Sequence, residues 1–461
     1  MRRPRLRSWK LVAPVVALAV VGATLAATAT ASRSAGVIKV AILSECKGAF
    51  GSAYEEQIAA VQAAFSQYAG ARPKDPKKPS AGIVGGSMGG KAIKIVGYGC
   101  GDETPDLAIK ETRRLMEQLG ADVMIGPLSG DEGVAVANYA KAHPTKTFLN
   151  GTSGAQQTTL KVRAPNFFRY NGDGAMWNAG TGELAYKRLG WRKAAIFMDD
   201  YSFGYTSGAG FIAEFCAWGG QIVKRVFAPS PNQDYASYVQ QLPPPDQVDG
   251  YFWVIGGSGT GPSVKAYTQA YGSVDPKKFI GNLFFAFLGN DKDVGAQLPG
   301  AYMGGFGTGP GLQTPAAKAY RKIAAHWYPK IGSPDDGFFY NWWNPAWALT
   351  TAMNKVNGDL SGGQAKLRAA LPRILNAGFG KIVLDKNRQA IQDQYPIQYV
   401  KKSDGTITFE VIGLVPQVTQ TFGGQFSEKT PSPSRTAPAC KKAKLPWMNK
   451  IIPVKNGVPQ R

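Results

Sequence analysis

Histidine is nearly absent from this chain, which has only two, His143 and His326, among 461 residues. His143 precedes Pro144 near the end of a predicted helix, and His326 lies in the helical run 316–327. A catalytic triad needs its base in a strand-end loop, and a zinc site needs closely spaced histidines or cysteines. We therefore predict no catalytic residue and no metal-binding residue.

Two sequence motifs of enzymes are also missing. The nucleophile elbow Gly-x-Ser-x-Gly is absent, although the stretches 151–155 and 256–260 approach it. The glycine-rich stretches 97–101 and 305–309 lack the spacing of a dinucleotide fingerprint and its downstream acid. No cofactor is predicted, an enzyme is not expected, and a secreted hydrolase is the competing function class.

Long apolar runs are missing except at 11–25, close to the first residue. A basic head containing Arg2 and Lys10 precedes this run, and Ala-x-Ala sites follow it at 27–29 and 29–31. This pattern predicts a secretory signal peptide over residues 1–31. A retained membrane anchor is the alternative, but the run is short for a span and contains Pro14. We expect a soluble protein that is secreted, periplasmic or associated with the cell envelope.

Acidic residues are few, with 31 Asp and Glu against 53 Lys and Arg, so the formal net charge is +22. Such an excess of positive charge makes nucleic acid a candidate partner. Secretion argues against that partner, and the basic residues are scattered apart from 72–78 and the tail after Ser427. We interpret the charge as favouring solubility and attraction to anionic surfaces of the cell envelope, and we expect no nucleic acid.

Cysteine is scarce too, but its four residues are an even number in a protein predicted to be exported. Two disulfides are therefore predicted, and four cysteines allow three pairings. Cys46 follows the first predicted strand and Cys100 the second. Neighbouring parallel strands would bring these two ends together, which favours Cys46–Cys100 and, by default, Cys216–Cys440.

The chain alternates regularly between strand-like and helical runs. Strands are predicted at 37–43, 92–98, 121–126, 146–150, 193–199, 221–227, 250–255 and 278–282, and helices at 54–68, 105–119, 174–189, 205–218, 234–242 and 262–271, with a further helix after Ser129. This alternation predicts parallel sheets covered on both faces, and its restart after Asn166 predicts two similar lobes. Two stretches depart from it: 71–90 is predicted to be an exposed loop, and 427–461 a basic, proline-rich surface extension.

Hydroxyl groups follow two neighbouring predicted strands. The strand 121–126 ends at Pro127-Leu-Ser-Gly130, and the strand 146–150 ends at Gly151-Thr-Ser-Gly154. Small ligands bind at the carboxyl ends of the strands in an open α/β sheet, and the start of a helix attracts an anion. Ser129 and Glu132 also form a capping box, with the backbone N–H of Ser129 expected to remain free. The pattern indicates a binding cleft without a catalytic group.

Five short motifs in the sequence belong together. They are Ile38-Lys-Val-Ala-Ile-Leu43 with Gly48 and Gly51, Asp102 to Pro105, Gly126-Pro-Leu-Ser129, Asn166-Phe-Phe-Arg169, and Met198-Asp-Asp-Tyr-Ser-Phe-Gly204. As a set they make the chain similar to the extracytoplasmic solute-binding proteins of ABC transporters, of the branched-chain amino-acid-binding type. The resemblance covers about residues 37 to 415.

The resemblance implies the type I periplasmic binding fold, an α/β fold of two doubly wound parallel-sheet lobes joined by a three-strand hinge. Lobe one would comprise residues 38–165 and 312–378, and lobe two residues 166–311 and 379–425. A basic C-terminal extension over 426–461 would follow. In this family the lobes close over a ligand like a hinged clamp.

The resemblance also implies which residues contact the ligand. Lobe one of the family holds a ligand carboxylate through hydroxyls and backbone N–H groups, whereas lobe two supplies an aromatic residue and a Gly-Gly-x loop. The matching residues here are Ser129, Thr152 and Ser153 of lobe one, and Phe203, Gly257 and Ser258 of lobe two. Two further ligand contacts are expected: Phe50, in the loop after the first strand, closing over the ligand from lobe one, and Tyr201. The alternative interpretation of Phe203 is that it packs in the hydrophobic core. The aromatic run 338–347 is interpreted as core packing of lobe one, with one or two rings reaching the cleft.

One departure from the family bears on the ligand. Family members that bind amino acids hold the ammonium group with an acidic residue after the strand that matches 279–281, but Asn282-Leu-Phe-Phe-Ala-Phe-Leu288 contains no carboxylate. A buried ammonium without a countercharge is costly. The sequence therefore predicts a less charged, more apolar carboxylate or amide, unless Asp131, Asp199 or Asp200 supplies the missing charge.

These observations predict a binding protein with two partners, a small-molecule ligand and the membrane permease of an ABC transporter. The permease is predicted from the family resemblance alone. The ligand would be amino-acid-like, an amide or a small carboxylate, and the protein is expected to be a monomer. A ligand-binding sensor that uses the same clamp is the alternative.

Overall fold

The computed structural model describes residues 36–230, 232, 234–281, 295–373, 376–377 and 379–461. The predicted signal peptide and the segment Asn282-Leu-Phe-Phe-Ala-Phe-Leu288 lie outside these residues. Residues 36–461 form one of the two units into which the chain divides.

Strands and helices alternate along the described chain. The strands are β1 Val37–Glu45, β2 Ala71–Pro73, β3 Ile83–Gly85, β4 Ser87–Met88, β5 Lys91–Gly101, β6 Val123–Ile125, β7 Thr147–Leu149, β8 Phe167–Phe168, β9 Lys193–Asp199, β10 Gln221–Ala228, β11 Gly250–Val254, β12 Phe279–Gly281, β13 Tyr302–Gly304, β14 Asn376–Ala377, β15 Gly380–Lys381, β16 Val383–Leu384, β17 Ala390–Gln394, β18 Pro396–Lys401, β19 Ile407–Val411, β20 Gly413–Val418, β21 Ile452–Lys455 and β22 Val458–Pro459. The helices are α1 Tyr54–Ala69, α2 Pro105–Arg113, α3 Gly130–Ala142, α4 Gly174–Trp177, α5 Thr181–Glu183, α6 Ser202–Ala217, α7 Ala236–Val239, α8 Thr260–Tyr271, α9 Pro315–Trp327, α10 Gly337–Lys355 and α11 Ser361–Ala370.

The first sheet has the strand order β4-β5-β1-β6-β7-β8 and is parallel from β5 to β8. β1 lies inside it between β5 and β6, and its residues 40–45 are all buried. A parallel strand covered on both faces needs an unbroken apolar run such as residues 40–43, which is why β1 is recognisable in the sequence.

The second sheet has the order β10-β9-β11-β12-β13-β18-β19. It is parallel from β10 to β13, while β18 and β19 pair antiparallel. The two parallel-sheet lobes and the mixed α/β fold predicted from the sequence are thus confirmed. A smaller sheet, β16-β17-β20-β21-β22, is built from segments that follow residue 382.

The helices cover the sheets and orient the strand ends. The long helix α10 packs against α1, α2 packs against α3, and α6 packs against α4. The largest hydrophobic core contains residues from both parallel sheets and from α10. The carboxyl ends of β6, β7, β9 and β11 lead into the loops that form the candidate site.

Two predictions of secondary structure, for residues 71–90 and for residues 174–189, were wrong. The stretch predicted as an exposed loop contains the antiparallel pair β2–β3, and Pro79 and Met88 within it are buried. The helix predicted over 174–189 is interrupted between α4 and α5. Gly180 has a φ of +93°, and its N–H donates to the buried Glu214 carboxylate at 2.8 Å, so a tertiary contact breaks the helix.

The C-terminal extension is anchored at several points. Leu445 and Trp447 are buried, and the Trp447 Nε1 donates to Glu214 Oε1 at 2.7 Å. The Lys161 Nζ donates to the carbonyl of Glu428 at 2.7 Å. β21 pairs with β20. The extension is therefore part of the packed structure.

The structure pairs Cys46 with Cys100 and Cys216 with Cys440, as predicted. Cys46 follows β1 and Cys100 lies near the end of β5, and these two strands are parallel neighbours. The second disulfide joins α6 to the C-terminal extension. None of the described helices has the length and apolar character needed to cross a membrane.

Candidate functional site

Ser129 lies at the N-cap of α3 and is 1 % exposed. Its backbone N–H donates to Glu132 Oε2 at 3.4 Å, and its hydroxyl donates to the Glu103 carbonyl at 3.4 Å. The expectation that this N–H stays free is wrong, because the second half of the capping box occupies it. The hydroxyl accepts in the first half of the capping box, and its proton, which makes only the long hydrogen bond to Glu103, is what remains for a ligand.

Thr152 and Ser153 follow β7 and are buried beside Ser129. The Thr152 N–H donates to the Pro127 carbonyl at 3.1 Å, but its Oγ1 has no hydrogen-bond partner among the described residues. The Ser153 hydroxyl makes a long bond of 3.5 Å to the Gly130 carbonyl. A buried hydroxyl without a partner costs free energy, and such groups are rare in folded proteins. Thr152 is therefore the strongest candidate for a ligand contact.

Residues after β9 lie directly against these strand ends. The Ser202 N–H donates to Asp131 Oδ1 at 3.3 Å. A Cβ on Gly130 would lie 2.8 Å from the Phe203 nitrogen, and a Cβ on Gly154 would lie 2.7 Å from the Phe203 ring. Phe203 is buried. The structure thus brings Ser129, Ser153 and Phe203 together, and the approach is close enough to require glycine at 130 and 154.

A second contact joins the loops after β1 and β11. The Ser258 N–H donates to the Ala49 carbonyl at 2.9 Å, and Gly257, with a φ of +54°, lies against the same carbonyl. Phe50 is buried next to this contact, whereas Ser258 itself is exposed. The backbone of Gly257 and Ser258 therefore closes over Phe50.

Aromatic rings connect these contacts into one surface, which we call the aromatic wall. It consists of Phe50, Trp177, Tyr201, Phe203, Phe306 and Phe338. Trp177 stacks on Phe306 with the ring centroids 4.1 Å apart. Phe306 in turn lies 6.4 Å from Phe203 and 6.3 Å from Phe338. Of the wall, Phe50, Tyr201 and Phe203 were predicted by number, and Phe338 lies in the run expected to send one or two rings to the cleft.

Trp177 and Phe306 were missed by the sequence reading. Phe306 lies in the glycine-rich stretch 304–307, and its φ of +55° is unusual for a bulky residue. In the sequence, that stretch shows only the incomplete spacing of a dinucleotide fingerprint. No local signal distinguished Trp177 from a core residue.

Glu103 joins loops of the two parallel sheets. Its carboxylate accepts hydrogen bonds from the Phe50 N–H at 3.1 Å and from the Ser230 hydroxyl at 3.3 Å. Burial raises the pKa of the Glu103 carboxyl to about 7. Glu45 and Glu132 lie close by, and the Glu103 N–H donates to both. No set of three or more metal-ligating side chains within the described part of the chain is arranged to hold a metal ion.

Among the three alternative acids, Asp199 has a buried carboxylate oxygen without a hydrogen-bond partner among the described residues. It is buried at the end of β9, where one oxygen accepts from the Gly256 N–H at 2.9 Å and the other has no partner among the described residues. Burial raises the pKa of its carboxyl well above the ordinary value. Asp131 accepts from Ser202, and Asp200 accepts two hydrogen bonds from Arg435.

The Glu103 carboxyl makes the stability of the protein depend on pH. Between its ordinary pKa near 4.5 and its folded value of about 7, the folded state binds more protons than the unfolded state, so the free energy of unfolding falls as pH rises. In Glu103→Gln this fall between pH 5 and pH 8 is expected to be shallower by roughly 2–3 kcal/mol. Urea unfolding at both pH values measures it, with exposed Glu410→Gln as the control. An unchanged slope in Glu103→Gln would contradict the assignment.

Comparisons with known proteins bear on the fold that carries this site. The family model described as periplasmic binding protein matches residues 37–406. No curated protein sequence matches the chain. The solved structures to which it is similar include an ABC transporter substrate-binding protein from Sphaerobacter thermophilus, with a TM-score of 0.69 and 20 % identity over 83 % of this chain and 98 % of that one.

Two further solved structures are similar in the same way. A solute-binding protein of an ABC transporter from R. palustris, in complex with benzoate, has a TM-score of 0.68 and 21 % identity over 83 % of this chain and 98 % of that one. A leucine-binding protein from Thermotoga maritima has a TM-score of 0.65 and 17 % identity over 82 % of this chain and 99 % of that one. At these identities the likeness shows the shared fold.

Proposed function

The chain belongs to the periplasmic binding protein family, and from this premise we propose that it captures a small molecule between its two parallel-sheet lobes and delivers it to an ABC permease. It would act outside the cytoplasm, as a monomer and without catalysing a reaction. The proposal rests mainly on one observation: the hydroxyl residues at the strand ends of the first sheet lie next to Phe203 of the aromatic wall. Thr152, whose Oγ1 has no partner among the described residues, directly precedes Ser153 in the chain.

Within the three ligand classes, namely amino-acid-like molecules, amides and small carboxylates, we favour a carboxylate with an apolar or aromatic body. The Thr152 and Ser129 hydroxyls would donate to the carboxylate. The aromatic wall would contact the body. Similar proteins in complex with benzoate and with 4-hydroxybenzoate support this ligand, at the level of a shared fold.

An ordinary α-amino acid fits less well among the described residues. Its ammonium group would need a countercharge. Asp199 offers an unpartnered oxygen, but burial raises the pKa of its carboxyl well above the ordinary value and so disfavours the charged form. Because the fold is similar to that of a leucine-binding protein, the ligand screen described below also includes amino acids.

Capture would follow from closure of the clamp. Three hydrogen bonds join loops of the two parallel sheets: Ser202 N–H to Asp131, Ser230 hydroxyl to Glu103, and Ser258 N–H to the Ala49 carbonyl. A ligand that contacts both lobes binds the closed form better than the open form and shifts the population towards it. The permease would then recognise the closed surface.

The placement of the histidines favours binding over catalysis. His143 follows the last residue of α3, whereas Ser129 precedes the first. His326 lies in α9, a helix that packs near α1. Neither histidine is at the strand ends where a base would have to act on a bound ligand.

A thermal-shift screen tests the proposal. The panel contains benzoates, short aliphatic carboxylates, amides and amino acids, and a ligand at a hundred times its dissociation constant adds about 2.7 kcal/mol to stability. We expect a carboxylate to stabilise the protein, to remain chemically unchanged and to bind far more tightly than leucine or valine. Tight leucine or valine binding in calorimetry would refute the proposed ligand class. Turnover of a bound compound would refute the binding function.

A further inference from the structure

A second concave site lies at the end of α3 that is remote from Ser129. It is a cavity of about 380 Å³, a volume within the range of small-ligand sites. We call it the basic pocket, because five of the seven residues that line it are cationic and the other two are apolar. The cationic residues are Lys141, Lys161, Arg163, Lys386 and Arg388.

The basic pocket is separate from the candidate site. Ser129 precedes the first residue of α3, whereas Lys141 is in its last turn. A helix of this length places the two residues about 18 Å apart. The other four cations precede β8 or β17 in the chain, so they lie near the amino ends of strands, whereas the candidate site lies at carboxyl ends. A ligand in the basic pocket therefore does not contact a ligand at Ser129.

Backbone carbonyls hold two of the cations in place. The Lys161 Nζ donates to three carbonyls of the C-terminal extension, including that of Glu428 at 2.7 Å. The Arg388 Nε donates to the Ala164 carbonyl at 3.1 Å, and its Nη2 donates to the Arg163 carbonyl at 3.1 Å. A carbonyl oxygen has no net charge, so it orients a cation and leaves the positive charge uncompensated.

The positive charges of the pocket also lie close to one another. Burial lowers the pKa of the Arg388 guanidinium, and the nearby charge of Arg163 lowers it further. Both arginines have a positive φ, +56° at Arg163 and +65° at Arg388, which is uncommon outside glycine. Lys141 and Lys386 are exposed on the same cavity. The fold thus brings like charges together although they repel.

The carboxylates next to these cations do not balance them. Glu428 forms an ion pair with Arg163. Asp385 interacts with Lys386 and Arg388. Five cations against these two carboxylates leave a charge of about +3 on the pocket among the described residues. A compact anion with two or three negative charges would complement it.

A phosphate group fits this charge better than a carboxylate does. A phosphomonoester carries a charge of about −1.5 to −2 at neutral pH and has three strong acceptor oxygens, whereas a carboxylate carries a single charge on two oxygens. An arginine guanidinium presents its donors as a fork that matches phosphate oxygens. Acceptors that point in three directions can bind several converging cations at once.

We propose that the basic pocket binds a compact phosphate anion, a phosphomonoester or a diphosphate. The free anion and the phosphate headgroup of a lipid share this chemistry. The inference adds a second binding site to the protein and does not depend on which solute binds between the two parallel sheets. A phosphate-bearing surface bound here would retain the protein at the cell envelope.

Calorimetry with inorganic pyrophosphate tests the inference, and citrate serves as a carboxylate anion of similar charge. At low ionic strength we expect pyrophosphate to bind the parent about tenfold more tightly than citrate. The variant with both Lys141→Gln and Lys386→Gln should bind pyrophosphate about tenfold more weakly than the parent. Both lysines are exposed, so this variant should fold as the parent does.

The variant with both Lys94→Gln and Lys224→Gln is the matched control. It loses the same net charge at two exposed lysines that do not line the pocket, so it should keep the affinity of the parent for pyrophosphate. The inference would be overturned by equal binding of pyrophosphate and citrate, by an equal loss of affinity in the control variant, or by no binding of pyrophosphate at all.

Vesicles distinguish the two sources of phosphate. Cosedimentation compares phosphatidylcholine vesicles with and without phosphatidic acid, whose headgroup is a phosphomonoester. Binding that requires phosphatidic acid, that pyrophosphate displaces, and that the pocket variant loses while the control variant keeps it would support the inference with a lipid headgroup as the ligand. Pyrophosphate binding in calorimetry without vesicle binding would support it with the free anion as the ligand.

Discussion

Thr152→Val is expected to bind the carboxylate solute about 10- to 100-fold more weakly than the parent, while it unfolds at the same or a slightly higher temperature. Valine keeps the shape of threonine but removes the buried Oγ1, which has no partner among the described residues. Loss of one hydrogen bond to a charged group accounts for the weaker binding. Removal of a buried polar atom without a partner accounts for the unchanged or improved stability. Calorimetry and thermal unfolding measure the two effects.

Thr350→Val provides the opposite pattern as a control. Thr350 is buried in α10, and its Oγ1 donates to the Ala346 carbonyl at 2.9 Å. This substitution should cost about 1 kcal/mol of stability and leave the affinity unchanged. If Thr152→Val lost stability in the same way and kept its affinity, the Thr152 hydroxyl would be structural and the carboxylate would bind elsewhere.

Removal of the disulfide between α6 and the C-terminal extension is expected to cost about 3–5 kcal/mol of the free energy of unfolding. Cys216 and Cys440 are separated by 224 residues. Such a long loop loses much conformational freedom in the unfolded chain when it is closed. The variant with both Cys216→Ser and Cys440→Ser should therefore unfold at much lower urea concentration. Equilibrium urea unfolding measures the difference.

The other disulfide gives an internal comparison. Cys46 and Cys100 are separated by 54 residues. The corresponding double serine variant should lose about 1 kcal/mol less, because the entropy of loop closure grows only logarithmically with length. A larger loss in the Cys46–Cys100 variant would show that native contacts around the disulfides, rather than loop length, determine their contribution.

The elements that periodicity and end signals define could be predicted from the sequence. β9 has the predicted bounds, Lys193–Asp199, because it is an apolar run that directly follows the turn at Gly190. The capping box begins α3 at Gly130, as Ser129 and Glu132 indicated. The pairing of Cys46 with Cys100 followed from the adjacency of two parallel strands. Each of these predictions depends on local chemistry or on a simple rule of sheet topology.

The aromatic wall as a whole could not be predicted because its members come from distant segments. Trp177 belongs to α4, Phe203 to α6 and Phe338 to α10. No local motif relates them, and only the tertiary fold brings them together. In α10, residues 338, 341, 342 and 345 recur at helical spacing, which marks one face of the helix. Periodicity alone cannot separate a face that lines a ligand site from one that packs in the core.

A crystal structure of the protein with a bound benzoate tests the central claim most directly. The account predicts that the carboxylate lies within hydrogen-bond distance of the Thr152 Oγ1, with the ring against Phe203 and Phe306, between the two parallel sheets. A benzoate bound outside that space, for example in the outer groove lined by Phe379 and Arg461, would contradict it.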